Sequence, residues 1–262
     1  MMRGELGTAP DLSPRAIEWK TDFGQIVGIE AGQGRCLLYL HGVGDSGELI
    51  PSIARLASNR CILRPDHPGF LRSADGRFHT VRELAAWYAA QLDALALDDI
   101  DLVGCSLGGW IASELALLRP DRITTLTLID PAGLAGDGSM PDIFSLSPSE
   151  TLERTFASPV LRASEPPPPE RASLLARNRD TARRIASDPL MHDPSLDGRL
   201  AQLALPVYLV WGADDGLIPV TIAEAWRTSI PQATLTVIPD AGHLPHVEQA
   251  DRFLSAVPHL ES

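Results

Sequence analysis

Short apolar runs alternate with amphipathic segments along most of the chain, and several of the runs end in glycine-rich turns. The clearest runs lie at residues 36–40, 61–63, 100–103, 124–129, 206–211 and 234–238. Such runs, bounded by turn signals, are typical of strands that are buried on both faces of a sheet. Apolar positions with helical spacing follow one of them, at residues 110–118. The pattern therefore predicts an α/β fold, with a mostly parallel central sheet flanked by helices.

The turn after residues 100–103 carries the strongest chemical signal, because residues 104–108 spell G-C-S-L-G. A serine at the apex of a sharp strand-to-helix turn projects its hydroxyl from the edge of the sheet, and small neighbours permit so tight a turn. Ser106 is therefore the predicted nucleophile. The N–H of Leu107, at the N-terminus of the helix, points to where an oxyanion would develop.

A second glycine-containing loop follows the run at 36–40 and reads H-G-V-G-D-S at residues 41–46. Bent back over Ser106, this loop supplies the N–H of Val43 as the second oxyanion donor. The plainer alternative is an ordinary strand-to-helix loop whose glycines only make the turn. We expect His41 to shape the loop from beneath, since a catalytic base must face the serine.

An acid and a histidine follow the last two predicted strands. Residues 212–219 read G-A-D-D-G-L-I-P, and residues 239–243 read P-D-A-G-H. Loops at the carboxyl edge of a parallel sheet converge, and that edge is where ligands bind in open α/β sheets. The order serine, acid, histidine along the chain is one known order of a catalytic triad.

Together these motifs resemble those of the α/β-hydrolase fold superfamily over the whole chain apart from one insert. The resemblance implies that Ser106 is the nucleophile and His243 the base. The family pattern W-G-x-x-D-x-x-x-P matches residues 211–219 and implies that the acid is Asp215 rather than Asp214. Asp130, which follows the strand at 124–129, is a rival for the acid and otherwise lines the pocket.

The insert divides the chain into a core domain, residues 1–133 and 204–262, and a helical cap, residues 134–203. In the resembled family this position holds a lid that excludes water and forms pocket walls. Apolar spacing and prolines predict helices at 147–156, 171–187 and 191–203 and an extended stretch at 165–170.

The predicted pocket is partly hydrophobic, which suggests a small substrate of the same character. Its predicted lining is His41, Trp110, Asp130, Leu134, Phe144, Leu217 and Leu244. Four arginines of the second cap helix either bind an anionic substrate group or form a solvated face paired with acidic side chains: Arg177, Arg179, Arg183 and Arg184. His246 is expected at the surface, at the start of the last helix.

Bulk properties narrow the class of protein. The 262 residues, 44% apolar, suit one domain with a sizeable core, and the net charge of −12 without a basic cluster disfavours nucleic acid and anionic membrane as partners. We find no membrane-spanning run and no signal-peptide pattern, and the three cysteines fall on predicted strands, so we expect reduced thiols in the cytoplasm. Lys20 is the single lysine, which suggests a GC-rich bacterial genome.

The resemblance implies a serine hydrolase that cleaves a carboxylic ester or thioester through an acyl-enzyme. Alternatives are a hydrolase of carbon–carbon bonds in vinylogous diketones, a cofactor-free perhydrolase or lyase, and a ligand-binding protein without turnover. No metal or cofactor is expected, because neither metal-ligand spacing nor a dinucleotide-binding glycine loop is present. The oligomeric state is open between monomer and homodimer.

Overall fold

The computed structural model describes residues 13–135 and 140–261. Residues 1–12, residues 136–139 near the start of the predicted cap, and residue 262 lie outside the described residues. Among the described residues, no helix is both long and apolar enough to cross a membrane.

The described strands form one sheet in the order β1-β2-β4-β3-β5-β6-β7-β8. The pairs β1–β2 and β2–β4 are antiparallel, and every pair from β4 through β8 is parallel. The predicted mostly parallel α/β fold is thus confirmed, and the hairpin of β1 and β2 extends it at one edge. The strands are β1 (Arg15–Thr21), β2 (Gly24–Ala31), β3 (Arg35–Leu40), β4 (Arg60–Pro65), β5 (Ile100–Cys105), β6 (Ile123–Ile129), β7 (Val207–Gly212) and β8 (Thr234–Ile238).

Helices cover both faces of the sheet. Because successive side chains of a strand point to opposite faces, Leu102 and Leu128 join one apolar cluster, whereas Val103 and Ile129 join the other. Helices α2, α3 and α8 pack on the first face, and α1 and α10 on the second. The described helices are α1 (Pro51–Arg55), α2 (Val81–Ala94), α3 (Leu107–Leu118), α4 (Pro148–Thr155), α5 (Pro159–Arg162), α6 (Pro169–Ala186), α7 (Asp197–Leu200), α8 (Ala223–Ser229), α9 (Pro245–Glu248) and α10 (Ala250–Ala256).

Helices α4 to α7 lie in the insert between β6 and β7. Helix α4 begins after Ser147, which forms a capping box with Glu150. Helix α6 begins at Pro169, two residues before the predicted start, because proline is well suited to the first turn of a helix. Only four residues of the predicted third helix are helical, as α7. The division into a core and a cap stays a prediction.

Two sequence expectations about single side chains can be compared with the structure. The three cysteines are free thiols, and burial raises the pKa of Cys36 to about 12. The surface position expected for His246 is wrong. Its ring is fully buried, with Nε2 lying 3.1 Å from the Tyr39 hydroxyl, and burial lowers its pKa to about 3.

Candidate active site

Five polar side chains meet at the carboxyl edge of the central strands. His41 follows β3, Ser106 follows β5, Asp130 follows β6, Asp215 lies in the loop after β7 and His243 in the loop after β8. Because β3, β5, β6, β7 and β8 are consecutive parallel neighbours, residues up to two hundred positions apart converge on one edge. Every predicted triad residue therefore lies on the same side of the fold.

Ser106 sits on a strained turn between β5 and α3. Its φ of 56° and ψ of −121° are uncommon for a residue with a side chain. Glycines make the turn possible: a Cβ on Gly108 would lie 2.0 Å from the carbonyl oxygen of Leu40, and one on Gly104 would lie 2.4 Å from that of Gly108. The strand-turn-helix context predicted for the G-C-S-L-G motif is thus present.

Asp215 and His243 form a buried hydrogen-bonded pair. His243 Nδ1–H donates to Asp215 Oδ2 over 2.7 Å. The other carboxylate oxygen, Oδ1, accepts the backbone N–H groups of Leu217 and Ile218 at 2.8 and 2.9 Å. These bonds fix the carboxylate and leave His243 Nε2 as the nitrogen without the proton. In the described chain the Ser106 hydroxyl makes no hydrogen bond to His243; such bonds often tighten only with substrate.

Asp130, the rival acid, makes no hydrogen bond to His243 in the described part of the chain; the ring nitrogen Nδ1 of His243 bonds to Asp215 instead. Its side chain is fully buried, Oδ1 accepts the Gly212 N–H at 3.0 Å, and Oδ2 has no partner within the described residues. Burial, and then the nearby charge of Asp215, raise the pKa of Asp130 well above its usual value. Asp130 therefore carries a proton under conditions in which ordinary carboxyl groups are ionised.

Asp130, Asp215 and His243 form the group, among the residues that the structure describes, that could ligate a metal ion. One ligand atom each from Asp130, Asp215 and His243 lie within 4.8 Å of one another. Sequence spacing could not reveal this group, because its members lie in the loops that follow three different strands. Its Asp215 and His243 atoms already satisfy each other through the 2.7 Å hydrogen bond.

The loop of residues 42–47, called here the oxyanion loop, approaches Ser106 closely. A Cβ on Gly42 would lie 3.2 Å from Ser106 Cβ and 3.8 Å from its hydroxyl oxygen. Neither the Val43 N–H nor the Leu107 N–H finds an acceptor among residues 13–135 and 140–261.

His41 supports this loop from below. Its Nδ1–H donates to the Gly42 carbonyl at 2.8 Å, and its Nε2 accepts the His67 backbone N–H at 3.1 Å. The two imidazole rings stack with centroids 3.9 Å apart, and burial lowers both pKa values well below the usual range. His41 is fully buried, and its ring is bonded to the residue that precedes Val43.

Two further side chains, Arg64 and Glu248, hold the loops of the site. Arg64 on β4 is buried and pairs with Asp45 of the oxyanion loop and with Asp66. Glu248 accepts the N–H of Gly242, next to His243, at 2.6 Å and also the N–H of Ser158 in the insert at 2.8 Å. Such contacts join distant segments, so local sequence patterns give no signal for them.

The insert also binds the acid and base loops through its backbone. At the end of α4, the Thr155 carbonyl accepts the His243 N–H at 2.7 Å, and the Arg154 carbonyl accepts the Gly216 N–H at 3.0 Å. Gly216 directly follows Asp215. The positions of both side chains of the buried pair thus depend on the insert as well as on the sheet.

The predicted pocket residues divide into groups. Four of them belong to the apolar cluster that includes α3: Trp110, Leu134, Phe144 and Leu217. Leu244 packs against the opposite cluster, and His41 and Asp130 have no solvent exposure. The four apolar residues therefore share one cluster with α3, whereas Leu244 lies with the cluster on the opposite face of the sheet.

The four arginines of α6 mainly bind backbone carbonyl groups. Arg177 donates to the carbonyls of Leu71 and Ser73 at 2.5 and 2.6 Å. Two of the arginines also pair with acidic side chains: Arg184 with Asp75 at 2.7 Å, and Arg183 with Asp180 at 4.0 Å. Two bind insert carbonyls, Arg179 that of Leu146 and Arg183 that of Phe144.

The chain is similar in sequence to known proteins. A sequence model of the alpha/beta hydrolase family matches residues 37–256. The pimeloyl-[acyl-carrier protein] methyl ester esterase of Aliivibrio salmonicida is 29% identical over 257 residues, covering 92% of this chain and 94% of its own. The esterase of the same name from Edwardsiella ictaluri is 30% identical over 240 residues, covering 85% and 92%.

A solved structure supports the fold independently. Carboxylesterase CesB from Bacillus subtilis superposes with a TM-score of 0.75 at 24% identity, covering 95% of this chain and 91% of its own. The family match spans most of the chain, and the two relatives described above carry esterase names. The chain therefore belongs to the alpha/beta hydrolase family and is a hydrolytic enzyme.

Proposed function

We propose that this protein is a serine hydrolase that cleaves carboxylic ester or thioester bonds of a small, partly hydrophobic substrate. The observation that carries the proposal is the buried 2.7 Å hydrogen bond between His243 and Asp215, at the sheet edge where Ser106 occupies its strained turn. A nucleophile, a base and an acid that orients the base are the parts that acyl transfer requires.

In the proposed mechanism, His243 Nε2 takes the hydroxyl proton of Ser106 while Oγ attacks the acyl carbon. The carbonyl π electrons move to the oxygen, which becomes an oxyanion. When the tetrahedral intermediate collapses, the leaving alcohol or thiol departs with the proton from His243. Water then attacks the acyl-enzyme by the same route, releasing the acid and restoring Ser106. Asp215 keeps the proton of His243 on Nδ1 throughout.

The oxyanion would be bound by the N–H groups of Val43 and Leu107. Support comes from the short approach of Gly42 to Ser106 and from the absence of an acceptor for either N–H in the described residues. Donors that are already in place cost no reorganisation during the reaction. Loss of one such donor typically reduces kcat by about 10²–10³-fold.

The substrate class is argued from the insert and from the relatives. We propose that residues 134–203 form a cap over a pocket lined in part by Trp110, Leu134, Phe144 and Leu217, which would accept an apolar acyl or alcohol group. The names of the curated relatives support an ester as the bond that is cleaved. No metal or cofactor takes part in this mechanism.

The proposal also covers the kind of substrate, the oligomeric state and the location of the enzyme. We expect a small-molecule substrate, a monomer or homodimer, and a cytoplasmic location in a bacterium. The three free thiols support a reducing compartment.

Covalent labelling tests the proposal directly. The wild-type protein and Ser106→Ala are incubated with a fluorophosphonate, and intact masses are measured; a panel of p-nitrophenyl esters of increasing acyl length is assayed in parallel. We expect one adduct and ester turnover in the wild type, and neither in Ser106→Ala, with an unchanged melting temperature. Equal ester turnover in Ser106→Ala would overturn the proposal. Turnover of a vinylogous diketone without turnover of esters would favour carbon–carbon hydrolysis.

A further inference from the structure

The oxyanion loop has no regular secondary structure, so other groups must fix its shape. Two of its restraints come from the core: His41 Nδ1–H donates to the Gly42 carbonyl, and Arg64 pairs with Asp45. A third comes from the insert. Asn178 on α6 donates through Nδ2 to the carbonyls of Val43 and Asp45, at 3.1 and 3.3 Å.

Asn178 is unusual among the polar residues of the insert because it is fully buried and bonded on both sides of its amide. Its Oδ1 accepts the Leu71 N–H at 2.7 Å, on the loop that follows β4. Rotating the amide by 180° would place its oxygen against the carbonyl oxygens of Val43 and Asp45. Only the observed orientation satisfies all three bonds, so the side chain defines one position of the oxyanion loop relative to α6.

The same helix is also held to the core next to this contact. Thr181 Oγ1 donates to the Gly69 carbonyl at 2.8 Å, and Arg177 binds the carbonyls of Leu71 and Ser73. These bonds reach the loop after β4 and do not touch the oxyanion loop. Among the side chains of α6, the one that forms a hydrogen bond with Val43, the residue carrying a proposed oxyanion donor, is Asn178.

We propose that Asn178 is a positioning residue for the oxyanion hole, which makes the catalytic geometry at Val43 depend on the placement of the insert. This inference rests on the proposed function. Holding the Val43 carbonyl restrains the peptide group that follows the one carrying the Val43 N–H, and holding the Asp45 carbonyl restrains the loop two residues further on. The Val43 N–H must point at the oxyanion. A small displacement of a catalytic donor is costly in rate, because misplacement by about 1 Å can reduce turnover by about 100-fold.

The test compares Asn178→Leu, which keeps the approximate size and removes all three hydrogen bonds of the amide, with Thr181→Val, which removes a buried hydrogen bond from the same helix. For each variant, kcat and KM are measured with p-nitrophenyl butyrate, together with melting temperature. We expect Asn178→Leu to lower kcat by about 10- to 100-fold with little change in KM. Thr181→Val should keep kcat within about twofold, since only its packing and stability are altered.

A second readout separates positioning from general loosening of the structure. The trifluoromethyl ketone with the same acyl chain adds reversibly to Ser106 Oγ; His243 accepts the hydroxyl proton, and the ketone oxygen becomes the oxyanion. Its inhibition constant should rise in Asn178→Leu by the factor by which kcat/KM falls, because both report oxyanion stabilisation. In Thr181→Val it should stay near the wild-type value.

The outcomes distinguish this inference from the proposed function. Wild-type kcat and ketone affinity in Asn178→Leu, or an equal loss in Thr181→Val, would overturn the role of Asn178 while leaving the serine hydrolase proposal intact. Absence of labelling and ester turnover in the wild type would count against the proposed function itself. If Asn178→Leu does not fold, Asn178→Ala, assayed well below its melting temperature, is judged by the same comparison.

Discussion

Asp215 is the residue whose chemistry the structure defines most closely, because each oxygen of its carboxylate has a separate task. Oδ1 is held by two backbone N–H groups, and Oδ2 accepts the proton-bearing nitrogen of His243. Asp215→Asn keeps the size but replaces an oxygen by an amide N–H₂, which favours the wrong tautomer of the histidine. We expect kcat to fall by about 10³–10⁴-fold, with little change in the melting temperature.

Asp214 is the matched control for that substitution, since it is an adjacent aspartate with an exposed side chain. Asp214→Asn should leave ester turnover within about twofold of the wild type. A large loss in Asp214→Asn, or near-normal turnover in Asp215→Asn, would reverse the assignment of the acid. The same comparison tests whether Asp130 is the acid, because Asp215→Asn would then remain active.

At the scale of elements, the insert is joined to the helix that carries the nucleophile turn. Glu114 in α3 is buried, and both of its carboxylate oxygens accept from Arg199 of α7, at 2.5 and 2.6 Å. Arg199 also pairs with Asp193, at 2.9 Å. The last helix of the insert is thus fixed to α3, whereas α4 is fixed to the acid and base loops.

Arg199→Met should destabilise the protein because it leaves the Glu114 charge buried and without its partner. Breaking a buried pair in this way costs about 3 kcal/mol, which urea unfolding would show as a lower midpoint. Adding Glu114→Leu should recover most of the loss, since the unpaired charge is then gone. Arg227→Met, which breaks an exposed pair with Glu224, should change stability by less than about 0.5 kcal/mol. No loss in Arg199→Met would mean that the pair does not hold the insert.

At the scale of the whole molecule, the features that could be predicted from the sequence are those that local patterns of residues determine. The parallel strands follow from buried apolar runs, and the G-C-S-L-G turn at Ser106 follows from the need for small neighbours at a sharp bend. Contacts between distant segments could not be predicted in this way. Asn178 is more than one hundred positions from Val43, to which it donates a hydrogen bond. The prediction that His246 lies at the surface was wrong because its burial depends on Tyr39 and Ser52, which are far away in sequence.

Buried neutral histidines give the molecule a predictable response to acid. Burial lowers the pKa of His246 to about 3, whereas an unfolded histidine titrates near about 6.5. Between these values the unfolded chain binds a proton that the folded protein does not, so the free energy of unfolding falls as the pH falls. Each such histidine contributes about 1.4 kcal/mol per pH unit over most of this window. The lowered pKa values of His41 and His67 act in the same direction.

Asp130 acts with the opposite sign, because its raised pKa means that the folded protein holds a proton that the unfolded chain has released. The pH dependence of the free energy of unfolding of the wild type therefore combines opposing contributions. A single substitution isolates one of them. Urea unfolding of His246→Gln and the wild type is measured at several pH values between about 4 and 7. The free energy of unfolding should change less steeply with pH in the variant, by the equivalent of about one bound proton. His79→Gln, at an exposed position, is the matched control. Identical slopes for His246→Gln and the wild type would show that His246 is not held neutral by the fold.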